Sequence, residues 1–217
     1  MPEKEALLEL SRLRKAGAFA KKKVAIVCEG RSFSGKSALA KYLAKALGEP
    51  FYAANARGRG AWLLAKYTEQ LPNEGEIAFF DRGWYAELDA NYDRAAHQIP
   101  LFEKALIEDG FTLLKYFLEI SKEELIKRLE KRKDDPLKKS LLNDTELKSP
   151  KEYENYSKKS AETLIATHTP GASWHIVAAD EKFMARSAVA AHIAKAVGSK
   201  SKIACDLVRI YEPKLRF

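Results

Sequence analysis

Four residues in one short stretch have the types and spacing to do chemistry together. Gly30, Gly35, Lys36 and Ser37 satisfy the pattern G-x-x-x-x-G-K-[ST]. Glycines at those positions let the main chain close around phosphate oxygens, so that successive N–H groups point inward as donors. A helix beginning at the end of the run adds its positive dipole end. Lys36 then reaches the terminal phosphates, Ser37 offers a hydroxyl to Mg2+, and Arg31, Ser32, Phe33 and Ser34 complete the expected phosphate-binding set. The competing reading is a chance match, and the flanks argue against it. Val24–Cys28 reads as a buried strand, and Leu39, Tyr42, Leu43, Ala46 and Leu47 keep helical spacing up to the stop signal Gly48.

A second candidate lies about 45 residues downstream of the loop, where the apolar run Ile77–Phe80 ends on Asp81-Arg82. Read alone, Asp81 is a helix or turn cap. Downstream of a phosphate loop, a carboxylate at the carboxyl end of a buried strand is expected to hold Mg2+. That edge of a parallel sheet is also where ligands bind. Asp81 and Ser37 are therefore the expected metal ligands.

These residues need a scaffold, and the chain supplies alternating strand and helix patterns. Glu3–Ala20 reads as an amphipathic helix, Pro50–Ala54 as a short strand, and Ala61–Leu71 as helix. Glu87–Glu108 reads as helix interrupted near Pro100, Phe111–Ile120 as strand, and Lys122–Lys133 as helix. The polar stretch Asp134–Tyr156 reads as a mobile connection. Lys158–Thr167 is helical, Trp174–Ala178 is a strand, and Glu181–Val197 is helical; residues 199–217 fit either a strand or a helix. This alternation predicts a mostly parallel sheet covered on both faces.

The chain has 217 residues, 46% of them hydrophobic, enough for one α/β domain with a full core. No apolar run approaches the ~20 residues of a membrane helix, and the charged start Pro2–Glu5 lacks a signal-peptide pattern. Cys28 and Cys205 show no metal spacing, and a cytoplasmic location is expected. His97, His168, His175 and His192 show no ligand spacing either. A net charge of +8 fits a solvated lysine-rich surface, or attraction to a polyanion. Arg57 and Arg59, in the loop-like Asn55–Gly60, either grip an acceptor phosphate or sit in a solvated turn. Lys122–Lys139 carries eight basic and five acidic residues, and within it Arg128 and Arg132 share one helical face.

Taken in order, these motifs resemble the polyphosphate kinase 2 family of phosphate-loop kinases. That family's loop, G-x-D-x-x-G-K-G after a strand ending F-E, corresponds to Glu29 through Ser37. Its D-R-S-W-Y corresponds to Asp81-Arg82-Gly83-Trp84-Tyr85, and its G-Q-W…R-Y to Gly60-Ala61-Trp62 and Lys66-Tyr67. Glu108-Asp109-Gly110 and Leu114-Lys115-Tyr116-Phe117 resemble the stretch before its lid. Ser121 to Glu124, Arg128, Arg132 and Asp135 to Lys138 are similar to the lid's basic helix. Thr169-Pro170, Trp174 and Ala179-Asp180-Glu181-Lys182 are similar to its closing pattern.

The resemblance implies a three-layer α/β/α kinase fold with a helical lid, as a single domain over 1–217. Within it, 1–22 is an N-terminal helix, 122–156 the lid region and 199–217 a C-terminal extension. It implies Mg2+-dependent phosphoryl transfer between inorganic polyphosphate and a nucleoside mono- or diphosphate carrying adenine or guanine, in an oligomer. Neither a membrane nor nucleic acid is an expected partner. Lys36, Asp81, Arg82, Arg128 and Arg132 take the catalytic roles. Arg57, Arg59, Lys66, Lys138 and Lys139 are expected acceptor or polyphosphate contacts. The chain departs from the family pattern at Ser32 (an acid in the family), Ser37 and Gly83 (Gly and Ser in the family), Ala86-Glu87 (Asn-Arg) and Lys139-Ser140-Leu141 (Arg-Trp-Lys). Two other functions stay open on sequence: an ATP-dependent nucleoside-monophosphate kinase-like enzyme, and a degenerate non-catalytic domain that binds nucleotide or polyphosphate.

Overall fold

The computed structural model describes residues 2–49, 51–54, 62 and 64–212. Its centre is β1 (Lys23–Glu29), whose five inner residues are all buried. Such a strand needs apolar side chains on both faces, and Lys-Val-Ala-Ile-Val-Cys-Glu supplies them. Val24, Ile26 and Cys28 enter one core, while Ala25 and Val27 enter the other.

Around β1 the described residues form a six-stranded sheet in the order β2-β3-β1-β4-β5-β6. Here β2 is Phe51–Ala54, β3 Ile77–Asp81, β4 Phe111–Glu119, β5 Trp174–Ala178 and β6 Val208–Ile210. All pairings are parallel except β5 with β6. The strand order reverses at β1, and ligands bind at the carboxyl ends of strands beside such a reversal. The register sets Cys28 opposite Asp81, which puts the acid at the mouth of the loop that follows β1.

Helices cover both faces, as the alternating pattern predicts. On one side α1 (Pro2–Lys15), α2 (Lys36–Leu47) and α10 (Lys182–Ala196) pack through Ala6, Leu10, Leu39, Leu43, Val189 and Ile193. On the other lie α3 (Ala65–Thr68), the 3-10 turn Trp84–Ala86, α4 (Glu87–Ala90), α5 (Tyr92–Glu108) and α9 (Tyr153–Thr167). They contribute Tyr67, Trp84, Leu88, Ile99, Phe102 and Leu164. Between β4 and α9 come α6 (Lys122–Lys133), α7 (Pro136–Lys139) and α8 (Asp144–Lys148).

The structure departs from the sequence reading in several places, and of the helix expected over Ala61–Leu71 only Ala65–Thr68 is helical among the described residues. Pro100 does not interrupt its helix, because α5 runs unbroken through it. The ring removes one hydrogen bond, but Ala95, Ile99, Phe102, Glu103 and Leu106 are buried along one face and hold the helix together. The break falls earlier, at Asn91, which caps α5 by accepting from Arg94 N. The stretch 134–156 is not an irregular connection. Asp135 caps α7, a capping box of Asn143 and Glu146 starts α8, and α9 begins at Tyr153. Within the C-terminal stretch, residues 208–210 form the antiparallel edge strand β6. Among the described residues, no helix is long and apolar enough to cross a membrane.

Candidate active site

The loop between β1 and α2 is shaped by close packing. Gly30 has φ 137, and a Cβ there would lie 2.5 Å from the Leu118 carbonyl oxygen, so only glycine fits. Phe33 takes a left-handed φ of 65 without being glycine. Gly35, at φ 105, then caps α2, the helix whose first turn carries Lys36 and Ser37. Lys36 Nζ donates to the carbonyls of Gly30 at 2.6 Å and Arg31 at 3.2 Å. Burial draws the Lys36 pKa down, and the nearby Asp81 carboxylate opposes that shift.

Ser37 Oγ donates to Asp81 Oδ2 at 2.6 Å. A hydroxyl and a carboxylate are hard oxygen donors, the set Mg2+ prefers, so the pair fits the expected metal. Among the described residues, no three His, Cys, Asp or Glu side chains group in a way that could hold a metal.

The pair opens onto a cleft of about 580 Å3 lined by the loop and by cations from three elements. Lys131 and Arg132 come from α6, Lys138 from α7, and Lys182 and Arg186 from α10. Sequence reasoning did not assign Lys131, Lys182 or Arg186. Their sign was readable for α10, since Lys182 and Arg186 are four apart and share a face. Burial, and then Arg128, lowers the Lys182 pKa, so this wall already carries positive potential.

Other expected residues are placed differently. Arg128 is 6% exposed, and its donors are spent on protein. Nε binds Glu124 Oε1 at 2.7 Å, Nη1 the Phe33 carbonyl at 2.8 Å, and Nη2 the carbonyls of Ala179 and Asp180 at 2.7 and 2.8 Å. It lines the cleft and also fastens the loop to α6 and to the start of α10. Arg31, by contrast, is turned away from the cleft, toward α9. Lys66 pairs with Glu87 at 2.6 Å, and Tyr67 donates to the same oxygen at 3.0 Å. The Glu87 charge is thus matched inside the protein. Arg132 Nη1 lies 3.5 Å from Glu146, and Lys138 pairs with Asp135. Lys139 is exposed and is not part of the cleft lining. Arg57 and Arg59 lie outside the described residues.

Arg82 faces a second cavity, of about 280 Å3, between β1, β4 and α9. Its backbone is left-handed at φ 61, a strained conformation typical of functional sites. Among the described residues its guanidinium makes no hydrogen bond or ion pair, and its charge acts on the nearby Glu29 carboxyl. Glu29 forms part of the wall and accepts from Gly83 N at 3.0 Å, which fixes the turn that carries Arg82. Burial raises the Glu29 pKa to about 7. Aromatic surface comes from Phe117, Tyr156 and Trp174. The two cavities adjoin at Asp81-Arg82, the first residue lining the cleft and the second the cavity.

A family model described as polyphosphate kinase 2 matches residues 3–204. The chain belongs to the polyphosphate kinase 2 family. It is 30% identical over 210 residues to a GDP-polyphosphate phosphotransferase of Mycobacterium tuberculosis, covering 89% of this chain and 68% of that protein. It is 36% identical over 180 residues to an ADP-polyphosphate phosphotransferase of Pseudomonas aeruginosa, covering 76% of this chain and 59% of that one. With a Corynebacterium glutamicum relative included, the chain spans 58–68% of the length of these proteins. The crystal structure of a polyphosphate kinase 2 from Arthrobacter aurescens superposes with a TM-score of 0.81 at 27% identity, covering 90% of this chain and 77% of that one. The six-stranded, mostly parallel sheet is thus the fold of polyphosphate kinase 2 structures.

Proposed function

We propose that the chain is a Mg2+-dependent phosphotransferase that moves a phosphoryl group between inorganic polyphosphate and a nucleoside diphosphate. The observation that carries this reading is the Ser37–Asp81 pair at the mouth of a cation-lined cleft, with a second, partly aromatic cavity adjoining it. A long polyanion suits the open cleft, where Lys131, Arg132, Lys182 and Arg186 extend beyond the loop. A nucleoside suits the second cavity, which offers aromatic faces and polar groups together. The relatives' names include both ADP- and GDP-polyphosphate phosphotransferases.

Phosphoryl transfer asks for alignment and charge neutralisation more than for covalent help. The loop N–H groups and Lys36 would hold the terminal phosphates. An anion there competes with the Gly30 and Arg31 carbonyls for the ammonium and raises its lowered pKa. Ser37 and Asp81 would hold Mg2+, which when bound neutralises phosphate oxygens. Arg82, where the cavities adjoin, would contact the transferring group, and Arg132 would add charge from the α6 side. Segment 134–152, above the cleft, would act as the lid and exclude water as a competing acceptor.

The test is an assay with Mg2+ and either polyphosphate or ATP, against AMP, ADP, GMP and GDP, following the nucleotide products. Turnover of a diphosphate with polyphosphate is expected. Turnover with ATP alone overturns the reading in favour of an ordinary nucleotide kinase, and binding without turnover overturns it in favour of a non-catalytic domain.

A further inference from the structure

Arg31 sits in the phosphate loop, yet its side chain belongs to α9. The residue is 3% exposed. Nη1 donates to the Tyr153 carbonyl at 3.2 Å and Nη2 to Ser157 Oγ at 2.9 Å. The guanidinium lies 3.7 Å from the centre of the Tyr153 ring and 4.9 Å from that of Tyr156. Ser157 Oγ in turn donates to the Tyr153 carbonyl at 3.0 Å, and Tyr153 OH to the Ile120 carbonyl at 2.9 Å. The first turn of α9 is therefore tied to the loop and to the end of β4 at once.

A second arginine makes the matching contact from the other side. Arg128, on α6, donates to the Phe33 carbonyl at 2.8 Å. The chain between α6 and α9, residues 134–152, thus leaves from one helix tied to the loop and returns to another. The two ties reach the loop on either side of Ser32, which lines the cleft. A change in the setting of α9 against α6 would then pull on the peptides of residues 31–34, where the Ser34 N–H already bonds the Arg31 carbonyl at 3.2 Å. Two buried atoms at this junction, Arg31 Nε and Ser34 Oγ, have no partner.

We propose that Arg31 is a positioning residue that couples α9, the return helix of the lid segment, to the phosphate loop, with no phosphate contact of its own side chain. The proposal rests on the phosphotransferase reading only for its kinetic arm. A guanidinium is suited to the task because one flat group both forks onto two acceptors and stacks on aromatic rings, which an ammonium cannot do.

Three variants test it: Arg31→Lys in the loop, Ser157→Ala with Tyr153→Leu on α9, and all three together, each checked for folding by thermal unfolding. The α9 changes leave the loop sequence untouched. Arg31→Lys is expected to lower kcat about tenfold while KM for polyphosphate and nucleotide stays within twofold, the split expected when an interaction matters only in the transition state. The α9 pair should match it, and the triple variant should lose no more, since residues acting as one unit are not additive. A raised KM in Arg31→Lys, with an α9 pair that behaves as wild type, overturns the proposal in favour of a direct phosphate ligand.

A second arm needs no turnover. Sodium tripolyphosphate should slow amide exchange in residues 134–152 of the wild type. Arg31→Lys and the milder Ser157→Ala should bind tripolyphosphate equally well by calorimetry and show less of that protection. Equal protection in wild type and variants, or none in the wild type, overturns the coupling whether or not the protein transfers phosphate. Absence of transfer by the wild type, with protection lost in the variants, overturns only the catalytic reading.

Discussion

Ser37 Oγ and Asp81 Oδ2 lie 2.6 Å apart across the carboxyl ends of β1 and β3. The β1–β3 register sets Asp81 beside Cys28, and the loop then brings Ser37 back over it. If this pair holds Mg2+, Asp81→Asn should lower transfer about a hundredfold or more. Ser37→Ala should have a smaller effect, part of it recovered by raising Mg2+. Both are read from initial rates over a Mg2+ titration, and wild-type rates in both variants would falsify the metal assignment.

Gly30→Ala should damage the loop without unfolding the domain. The added methyl meets the Leu118 carbonyl at 2.5 Å, in a backbone at φ 137. Strain of this kind costs about 1–3 kcal/mol, and the loop is expected to relieve it by shifting. Transfer should fall below a tenth of wild type, while thermal unfolding shows a modest loss of stability.

A buried ion pair lies beneath the turn that carries Arg82. Lys115 Nζ donates to Glu103 Oε2 at 2.7 Å and to the Thr167 carbonyl at 2.6 Å, with both side chains fully buried. Trp84 Nε1 donates to the other Glu103 oxygen at 2.9 Å, and the Tyr85 hydroxyl also donates to it. Removing either charge alone leaves its partner uncompensated, so Glu103→Leu or Lys115→Met should each destabilise by about 3–5 kcal/mol. The double change should cost less than the sum, which a double-mutant cycle in urea measures.

His192 makes stability depend on pH. Its ring lies against His175, with centroids 4.3 Å apart, and shares a 2.8 Å hydrogen bond between Nδ1 and the Tyr116 hydroxyl. Burial, and then His175, lowers its pKa from 6.5 to about 4. The folded protein therefore binds fewer protons here than the unfolded chain does. The stabilisation is present in full above pH 6.5 and is lost as pH falls toward 4. His192→Gln should flatten the thermal-unfolding temperature between pH 7 and 5.

Lys182 and Arg186 should act on the polyanion and not on the nucleotide. Changing each to Ala is expected to raise KM for polyphosphate several-fold, more for long chains than for tripolyphosphate. Added salt should shrink the difference. KM for the nucleotide should not move.

The sequence was most informative where local chemistry and structure coincide. Gly30, Gly35, Lys36 and Ser37 had to form a loop, and the apolar runs that became β1, β3 and β4 were evident from their composition. Charge was legible, but its direction was not. Arg31 read as a phosphate ligand because its partner, the Tyr153 carbonyl, is a distant main-chain atom, and distance likewise hid the bond from Arg128 to the Phe33 carbonyl. Lys66 was misread for a similar reason, since its partner Glu87 lies 21 residues away. The capped helices α7 and α8 carried their own signals, an Asp before Pro136 and the spacing of Asn143 to Glu146. The polar composition around them obscured both. No local rule places β4 beside β1, and that pairing brings Phe117 to the wall of the second cavity.

The helices α7 and α8 bury none of their residues, and Leu137 and Leu141 remain 82% and 69% exposed. Caps, local hydrogen bonds and the Arg132–Glu146 ion pair hold them without a buried core, which places the segment at the low end of the molecule's stability scale. Its melting exposes little new surface and adds almost nothing to the denaturant slope of global unfolding. Calorimetric or urea unfolding of the whole domain is therefore blind to it, and a change that loosened it would pass as wild type in both.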